Sequence, residues 1–329
     1  MSTYQPPFVI TPLILNQVIE VGELMGHWAA MAGRTSPLLR KENRIRTIQA
    51  SLAIEHNSLT TEQVTALMEG KRILAPAKDI QEVRNAILAY EKMSEWKSEK
   101  LSDLLQAHRV LMLGLVDNPG QLRTGNVGVY REKQLIHMAP PASQVFRLMN
   151  GLLGWLKTTE LHPLIAGAVF HYEFEFIHPF ADGNGRMGWL WQTLILREWR
   201  SELAWLPVET LIHYQQDRYY QVLGQCDRQS SCTPFIEFIL ENIISALQEG
   251  LGKSSALSEE MSEEMSPDLL DIEKRILQIL SNHPGRSAKS IADECELSAR
   301  TVERYLKALQ LKGKLQRVGA TKGGMWRLI

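Results

Sequence analysis

The sequence predicts a mainly α-helical protein with one small β-hairpin, followed by a compact basic domain of helices and a strand pair. Three observations predict it. Over the first 250 residues, apolar side chains recur at spacings of three and four. One stretch, VGVYREKQLIHMA, is short, β-rich and flanked by Gly and Pro, and so reads as a hairpin. At Gly250 the composition shifts to Ser and Glu, and beyond the shift a second pattern of elements begins.

The helices follow in order. TPLILNQVIEVGELMGHW, LTTEQVTALMEG, KDIQEVRNAILAYEKM and QVFRLMNGLLGWL carry an apolar stripe, each bounded by Pro, Gly, Asn or Asp. The stretch GLGKSSALSEEMSEEMSPD, Gly250 to Asp268, reads as a linker with room for a helical turn. The expected domains are therefore 1–250, a linker over 251–266, and 267–329. In the last of these, DLLDIEKRILQILSNHPG is an amphipathic helix closed by Pro-Gly. SAKSIADECELSARTVERYLKALQLKG reads helix, turn, helix, with Ser298 as the N-cap of the second. KLQRVGATKGGMWRLI alternates around a Gly-rich turn, as a two-strand wing does.

Composition bounds the function. The chain has 329 residues, 44% hydrophobic and 22% charged, with a net charge of −1. Such a balance exerts no global pull toward nucleic acid or membrane. Three cysteines without close paired spacing argue against a disulfide framework or zinc site and fit a reducing, cytoplasmic setting. The apolar runs are too short or too interrupted to cross a bilayer.

The chemistry concentrates in HPFADGNGRMGW, His178 to Trp189, which leads into the apolar helical run WLWQTLILREW. At a helix start, free backbone N–H groups and the dipole favour an anion. Gly183 and Gly185 let a phosphate approach the backbone closely. Asp182 is a hard oxygen ligand suited to magnesium bridging phosphates. Arg186 offers a fixed fork of donors for phosphate oxygens. His178 has the pKa of a group that takes a proton from an attacking hydroxyl. A lone histidine is usually packed or solvated and a lone Gly-Asn-Gly is usually a turn. Their joint occurrence on one loop-to-helix junction is the parts list of phosphoryl or nucleotidyl transfer.

This segment resembles the signature of the Fic family, H-x-F-x-[DE]-G-N-G-R-x-x-R, at every specified position but the last, where Trp189 replaces a second arginine. PGQLRTGNVGV with IHMAPP, Pro119 to Pro141, resembles the family's target flap, and Asp217 to Leu240 resembles its closing helices. SLAIEHN resembles the family's inhibitory motif [ST]-x-x-x-E-[GN] at Ser51 and Glu55, with His56 where Gly or Asn is usual. The likeness spans roughly residues 5 to 250. It implies a Fic-type helical bundle whose small β-hairpin is the flap. It also implies transfer of AMP from ATP to a Ser, Thr or Tyr hydroxyl of a protein, the chain itself included, with Mg2+ as cofactor. By position, His178 is the general base and Asp182 the metal ligand. Gly183, Asn184 and Gly185 form the anion hole, and Arg186 steadies the β-phosphate. Phe180 anchors the loop, and Ile136, His137 and Met138 belong to the flap that pairs with the target as an added strand.

In the family the inhibitory glutamate pairs with the second arginine. Trp has one N–H donor and no charge, so Trp189 weakens both the γ-phosphate clamp and the anchor of Glu55. Trp189 then packs beside Trp191 or stacks on a base. The resulting alternatives are a catalytically weak core that senses nucleotide, and removal of AMP with Glu55 aligning water.

The C-terminal segment resembles a winged helix-turn-helix. Residues 267–329 hold twelve Lys/Arg against seven Asp/Glu, a net of +5. Arg300, Arg304 and Lys307 share one helical face by spacing, and Lys312, Lys314, Arg317, Lys322 and Arg327 surround the wing. Two uses stay open: contact with DNA phosphates, or protein contacts, including a homodimer.

Overall fold

The computed structural model describes residues 4–32, 37–131, 134–264, 267–295, 297–311, 314–318 and 325–328. Its contacts divide the chain into two compact units, residues 1–252 and 253–329. No helix among the described residues is long and apolar enough to cross a membrane.

The first unit is helical with one strand pair. Its elements are α1 (Pro12–Ala32), α2 (Pro37–Ala53), α3 (Thr61–Met68), α4 (Ala77–Lys92), α5 (Leu101–Leu111), β1 (Gly128–Arg131), β2 (Gln134–Met138), α6 (Ala142–Thr158), α7 (Pro163–Ile177), α8 (Asn184–Trp199), α9 (Val208–Tyr214), α10 (Gln216–Gln229) and the part of α11 (Thr233–Glu264) up to residue 252. The expected hairpin is β1–β2, antiparallel, with a bulge between Val129 and Tyr130. Helices α7 and α8 lie between two hydrophobic clusters. Phe170, Phe174, Leu190, Trp191 and Leu194 face one, and Ala168, Val169, Trp189 and Leu196 face the other. This double burial explains why PLIAGAVFHYEFEFI is apolar on nearly every side. The loop joining these two central helices is thereby held from both flanks.

The stretch expected as a linker is helical: α11 continues to Glu264. Ala, Leu, Met, Glu and Lys are strong helix formers, which outweighs the serines. Gly250 also has a packing reason, because a Cβ there would lie 2.2 Å from the Trp28 ring.

The second unit contains α12 (Pro267–Asn282), α13 (Ala288–Cys295), α14 (Ala299–Leu311), β3 (Leu315–Val318) and β4 (Met325–Leu328), the strands pairing antiparallel. Ile276, Leu280, Ile291, Val302, Leu309 and Trp326 form its core. The Ser298 hydroxyl accepts the Thr301 N–H at 3.1 Å, the expected N-cap. Lys307, Lys314, Arg317 and Arg327 are exposed, and Arg317 lies 5.1 Å over the Trp326 ring. Lys312, Lys322 and the side chains of Arg300 and Arg304 lie outside the described residues.

Candidate active site at the α7–α8 junction

The loop is shaped by its own backbone bonds. Helix α7 ends at His178, which is left-handed (φ 50°) and whose N–H donates to Phe174 O at 2.9 Å. Phe180 is fully buried and stacks on His108 with centroids 3.7 Å apart. The Asn184 side chain accepts the Phe180 N–H and donates to the Phe180 carbonyl, both at 2.9 Å. Its amide is thus committed to closing the loop, leaving its main-chain N–H at the start of α8. Gly183 takes φ 84°, and a Cβ there would lie 2.5 Å from Met112 Sδ, so the position requires glycine.

Two residues that the motif does not contain hold this loop. His108 Nδ1 accepts the Gly120 N–H at 2.8 Å, so its proton sits on Nε2, which donates to the Asp182 carbonyl at 3.0 Å. Burial pushes the His108 pKa down to about 4, so the ring stays neutral. Arg123, only 6% exposed, donates to the carbonyls of His178 (2.7 Å), Gly125 (2.8 Å), Pro140 and Ile177. It places a cation at the C-terminal end of α7, where the helix dipole favours one, and ties the segment before the flap to the His178 backbone.

Arg186 is 8% exposed and clamped, Nη1 to Glu82 Oε1 and Nη2 to Asp182 Oδ1, both at 2.9 Å. Asp182 Oδ1 also accepts the Gly183 N–H. Its side chain is 52% exposed, a hard oxygen donor at the mouth of the site. One carboxylate of this kind fits magnesium, which takes its remaining ligands from phosphates and water.

Glu55 reaches this junction from the end of α2. Asn57 N–H donates to Leu52 O and His56 N–H to Ala53 O, both at 3.0 Å, which is a Schellman ending with His56 as its left-handed residue (φ 69°). That backbone explains why Gly or Asn suits the position His56 occupies. The turn is tethered twice: Asn57 Nδ2 donates to Glu82 Oε2 at 2.8 Å, and Gln216 Nε2 to Ile54 O at 2.6 Å. The Glu55 carboxylate then lies against the first turn of α8, 2.0 Å from where a Cβ of Gly185 would stand. It is there although position 189 carries no cation. Burial raises its pKa, against the opposing pull of Arg186 and His56.

A cavity of ≈120 Å3 is lined by Glu55, His178, Gly185, Tyr172, Tyr219 and Tyr220 among others. The His178 ring nitrogen Nδ1 lies 3.3 Å from the Glu175 carbonyl and 3.9 Å from Glu175 Oε2. The structure therefore brings together Glu55, His178, Asp182, Gly183, Asn184, Gly185 and Arg186. Ser51 is not among them: its hydroxyl donates to Ile48 O at 3.0 Å within α2. Met138 is exposed on β2, while the side chains of Ile136 and His137 lie outside the described residues. Trp189 does not pack beside Trp191. Its ring meets His171 edge-on at 4.3 Å and Tyr219 at 5.3 Å, whereas Trp191 faces the opposite cluster and donates to Ser98 O at 2.9 Å. Side chains three and four apart share a helix face, but these two are two apart.

Residues 98–196 match the Fic/DOC family and residues 269–316 match a winged helix-turn-helix DNA-binding family. A Fic family protein from Desulfovibrio desulfuricans is 46% identical and superposes over 99% of this chain and 98% of its own, with a TM-score of 0.76. The chain belongs to the Fic family. A Fic-domain signalling protein from Bacteroides thetaiotaomicron shares the fold at 19% identity, over 72% of this chain and 97% of that one, with a TM-score of 0.60. The protein adenylyltransferases Fic of Nematostella vectensis and Drosophila persimilis are 29% and 28% identical, over 60% and 79% of this chain. The chain spans about half the length of these two curated relatives, 47% and 51%.

Proposed function

We propose that the first unit is a protein adenylyltransferase held in check by Glu55. One observation carries the reading. A carboxylate rests on the first turn of α8 at Gly185, in the same cavity as His178. A helix start that gathers an anion beside a histidine is a phosphate seat beside a base.

In this reading His178 takes the proton of a target Ser, Thr or Tyr hydroxyl. The hydroxyl oxygen attacks the α-phosphorus of ATP. The bond to the β-phosphate oxygen breaks, and pyrophosphate leaves. The main-chain N–H groups at Gly183–Gly185 stabilise the charge that develops on the phosphate oxygens, and Arg186 steadies the β-phosphate. Asp182 would hold magnesium, which neutralises phosphate charge when bound. The target presents its hydroxyl along the β1–β2 edge as an added strand. Glu55 blocks the phosphate seat until it swings out, and Trp189 leaves the γ-phosphate without a guanidinium.

The second unit supports a further reading, contact with DNA. The match to a winged helix-turn-helix DNA-binding family and the exposed Lys307, Lys314, Arg317 and Arg327 favour it.

The test of the transfer is incubation with Mg–ATP followed by mass spectrometry for AMP adducts, self-modification included. Glu55→Gly is expected to label and Glu55→Gly with His178→Ala is not. Equal labelling by both would remove His178 from the mechanism. Absence of any adduct would remove the transfer.

A further inference from the structure

A single carboxylate in α4 reaches both the site loop and the turn that carries Glu55. Glu82 Oε1 accepts from Arg186 Nη1 at 2.9 Å, and its other oxygen, Oε2, accepts from Asn57 Nδ2 at 2.8 Å. Glu82, Arg186 and Asn57 are all buried. Lys78 Nζ lies 3.9 Å from Glu82 Oε1 but is largely exposed, so water screens that pair and Arg186 is the main counter-charge. Asn57 closes the turn after α2, where its N–H donates to Leu52 O at 3.0 Å. Helix α4 holds the turn further, because the Asp79 carbonyl accepts from Asn57 Nδ2 at 3.2 Å and Asp79 Oδ2 accepts the Ser58 N–H at 3.1 Å.

We propose that Glu82 is a positioning residue with two opposed roles: one oxygen braces Arg186 for the phosphate, and the other anchors the inhibitory turn, so that Glu55 stays over the seat without an arginine at position 189. This rests on the adenylyltransferase reading given above. A clamp on the Glu55 carboxylate is thereby replaced by a clamp on its backbone, applied two residues further on. Hydrogen bonds to an ionised acceptor are about twice as strong as neutral ones, and here one charge serves both. A carboxylate held on separate oxygens is fixed in orientation. An arginine drawn toward a bound phosphate therefore turns the same carboxylate that anchors the inhibitory turn, and the two ends of the site respond together.

Glu82→Gln keeps the shape of the side chain but offers one oxygen and one NH2 group. The guanidinium takes the remaining oxygen, now uncharged, and Asn57 Nδ2 meets a donor instead of an acceptor. Both roles are weakened. Asn57→Ala removes the anchor and leaves Arg186 braced.

The test is hydrogen exchange by mass spectrometry on the full chain, with calorimetric binding of Mg–ATP. Exchange over residues 55–57 is expected to rise about tenfold or more in Asn57→Ala and in Glu82→Gln, the scale of one lost hydrogen bond to a charged group, while α6 keeps the wild-type rate. The double variant is expected to exchange no faster than Asn57→Ala alone, since the bond between the two residues is already gone. Additive rises overturn the proposal, and so does a rise spread evenly over the first unit, which marks a general loss of stability. Asn57→Ala is expected to bind Mg–ATP about tenfold tighter than the wild type, as Glu55 leaves the seat more often. In the Glu55→Gly background that gain is expected to vanish, whereas Glu82→Gln there binds at least about threefold weaker, because Arg186 has lost its charged brace. A gain that persists without Glu55, or an unchanged affinity of Glu82→Gln in that background, overturns the proposal. If no form binds Mg–ATP, the transfer reading fails, and the exchange rates still decide whether Glu82 anchors the turn.

Discussion

Arg123→Ala is expected to destabilise the first unit and silence the site together. The guanidinium donates to four carbonyls, those of His178, Gly125, Pro140 and Ile177. Hydrogen bonds from a charged donor contribute about 1.5–3 kcal/mol each. They are not additive, and water re-solvates the outer carbonyls once the side chain is gone. Removing one side of a buried charged network costs about 3–5 kcal/mol, and that is the loss expected here. For a unit of this size it corresponds to a fall of roughly 10 °C in melting temperature. Arg123→Lys keeps the charge at the end of α7 but not the planar fork, so it is expected to recover only part of the loss. The assay is urea unfolding of the full chain, followed by Mg–ATP labelling at a temperature where each variant is folded. An Arg123→Ala protein within about 1 kcal/mol of the wild type, labelling at the same rate, would refute the assignment of Arg123 as the tie between loop and flap.

Three further outcomes follow from the same geometry. His56→Gly relieves a left-handed backbone at φ 69° and is expected to stabilise the protein by about 0.5–1 kcal/mol in denaturant titration; a loss of stability would contradict the Schellman ending of α2. Gly183→Ala meets both φ 84° and Met112 Sδ, and should cost at least about 1–2 kcal/mol from the backbone alone, where an unchanged unfolding midpoint would argue against that loop shape. Glu175 and Glu209, with pKa values pushed up to about 8 and about 7 by burial, hold protons that the unfolded chain releases. Stability should therefore decline as pH rises from 6.5 to 9. His108 and His171, pushed down to about 4 by burial, act in the opposite sense below 6.5 and offset the two glutamates there, so the decline belongs to the alkaline side. Glu209→Gln should flatten the alkaline limb, and a midpoint that climbs toward pH 9 would reverse the sign of the account.

The site loop was legible because its chemistry is contiguous: a base, an acid, a glycine turn and an arginine precede one helical run. The hairpin and the winged unit were legible because a change of period marks each. What escaped notice lies far away in the chain. Arg123, His108, Glu82 and Glu175 matter through what they touch, and nothing local distinguishes them. Arg123 looks like a loop cation between two glycines, and Glu82 looks like the polar side of an amphipathic helix. The helical course of α11 through Glu264 was hidden by serines that read as linker. Trp189 was legible as a departure but not in its direction, because the face of α8 it occupies is set by the packing of α10 and α11. Ser51 matched a motif, yet its hydroxyl donates to Ile48 O within α2.

The most direct measurement is calorimetric binding of Mg–ATP to the wild type and to Glu55→Gly at pH 7. The account predicts at least about tenfold tighter binding by Glu55→Gly, a difference of about 1.4 kcal/mol, because the phosphate seat at Gly185 is then empty of carboxylate. Equal affinities would contradict the claim that Glu55 occupies that seat.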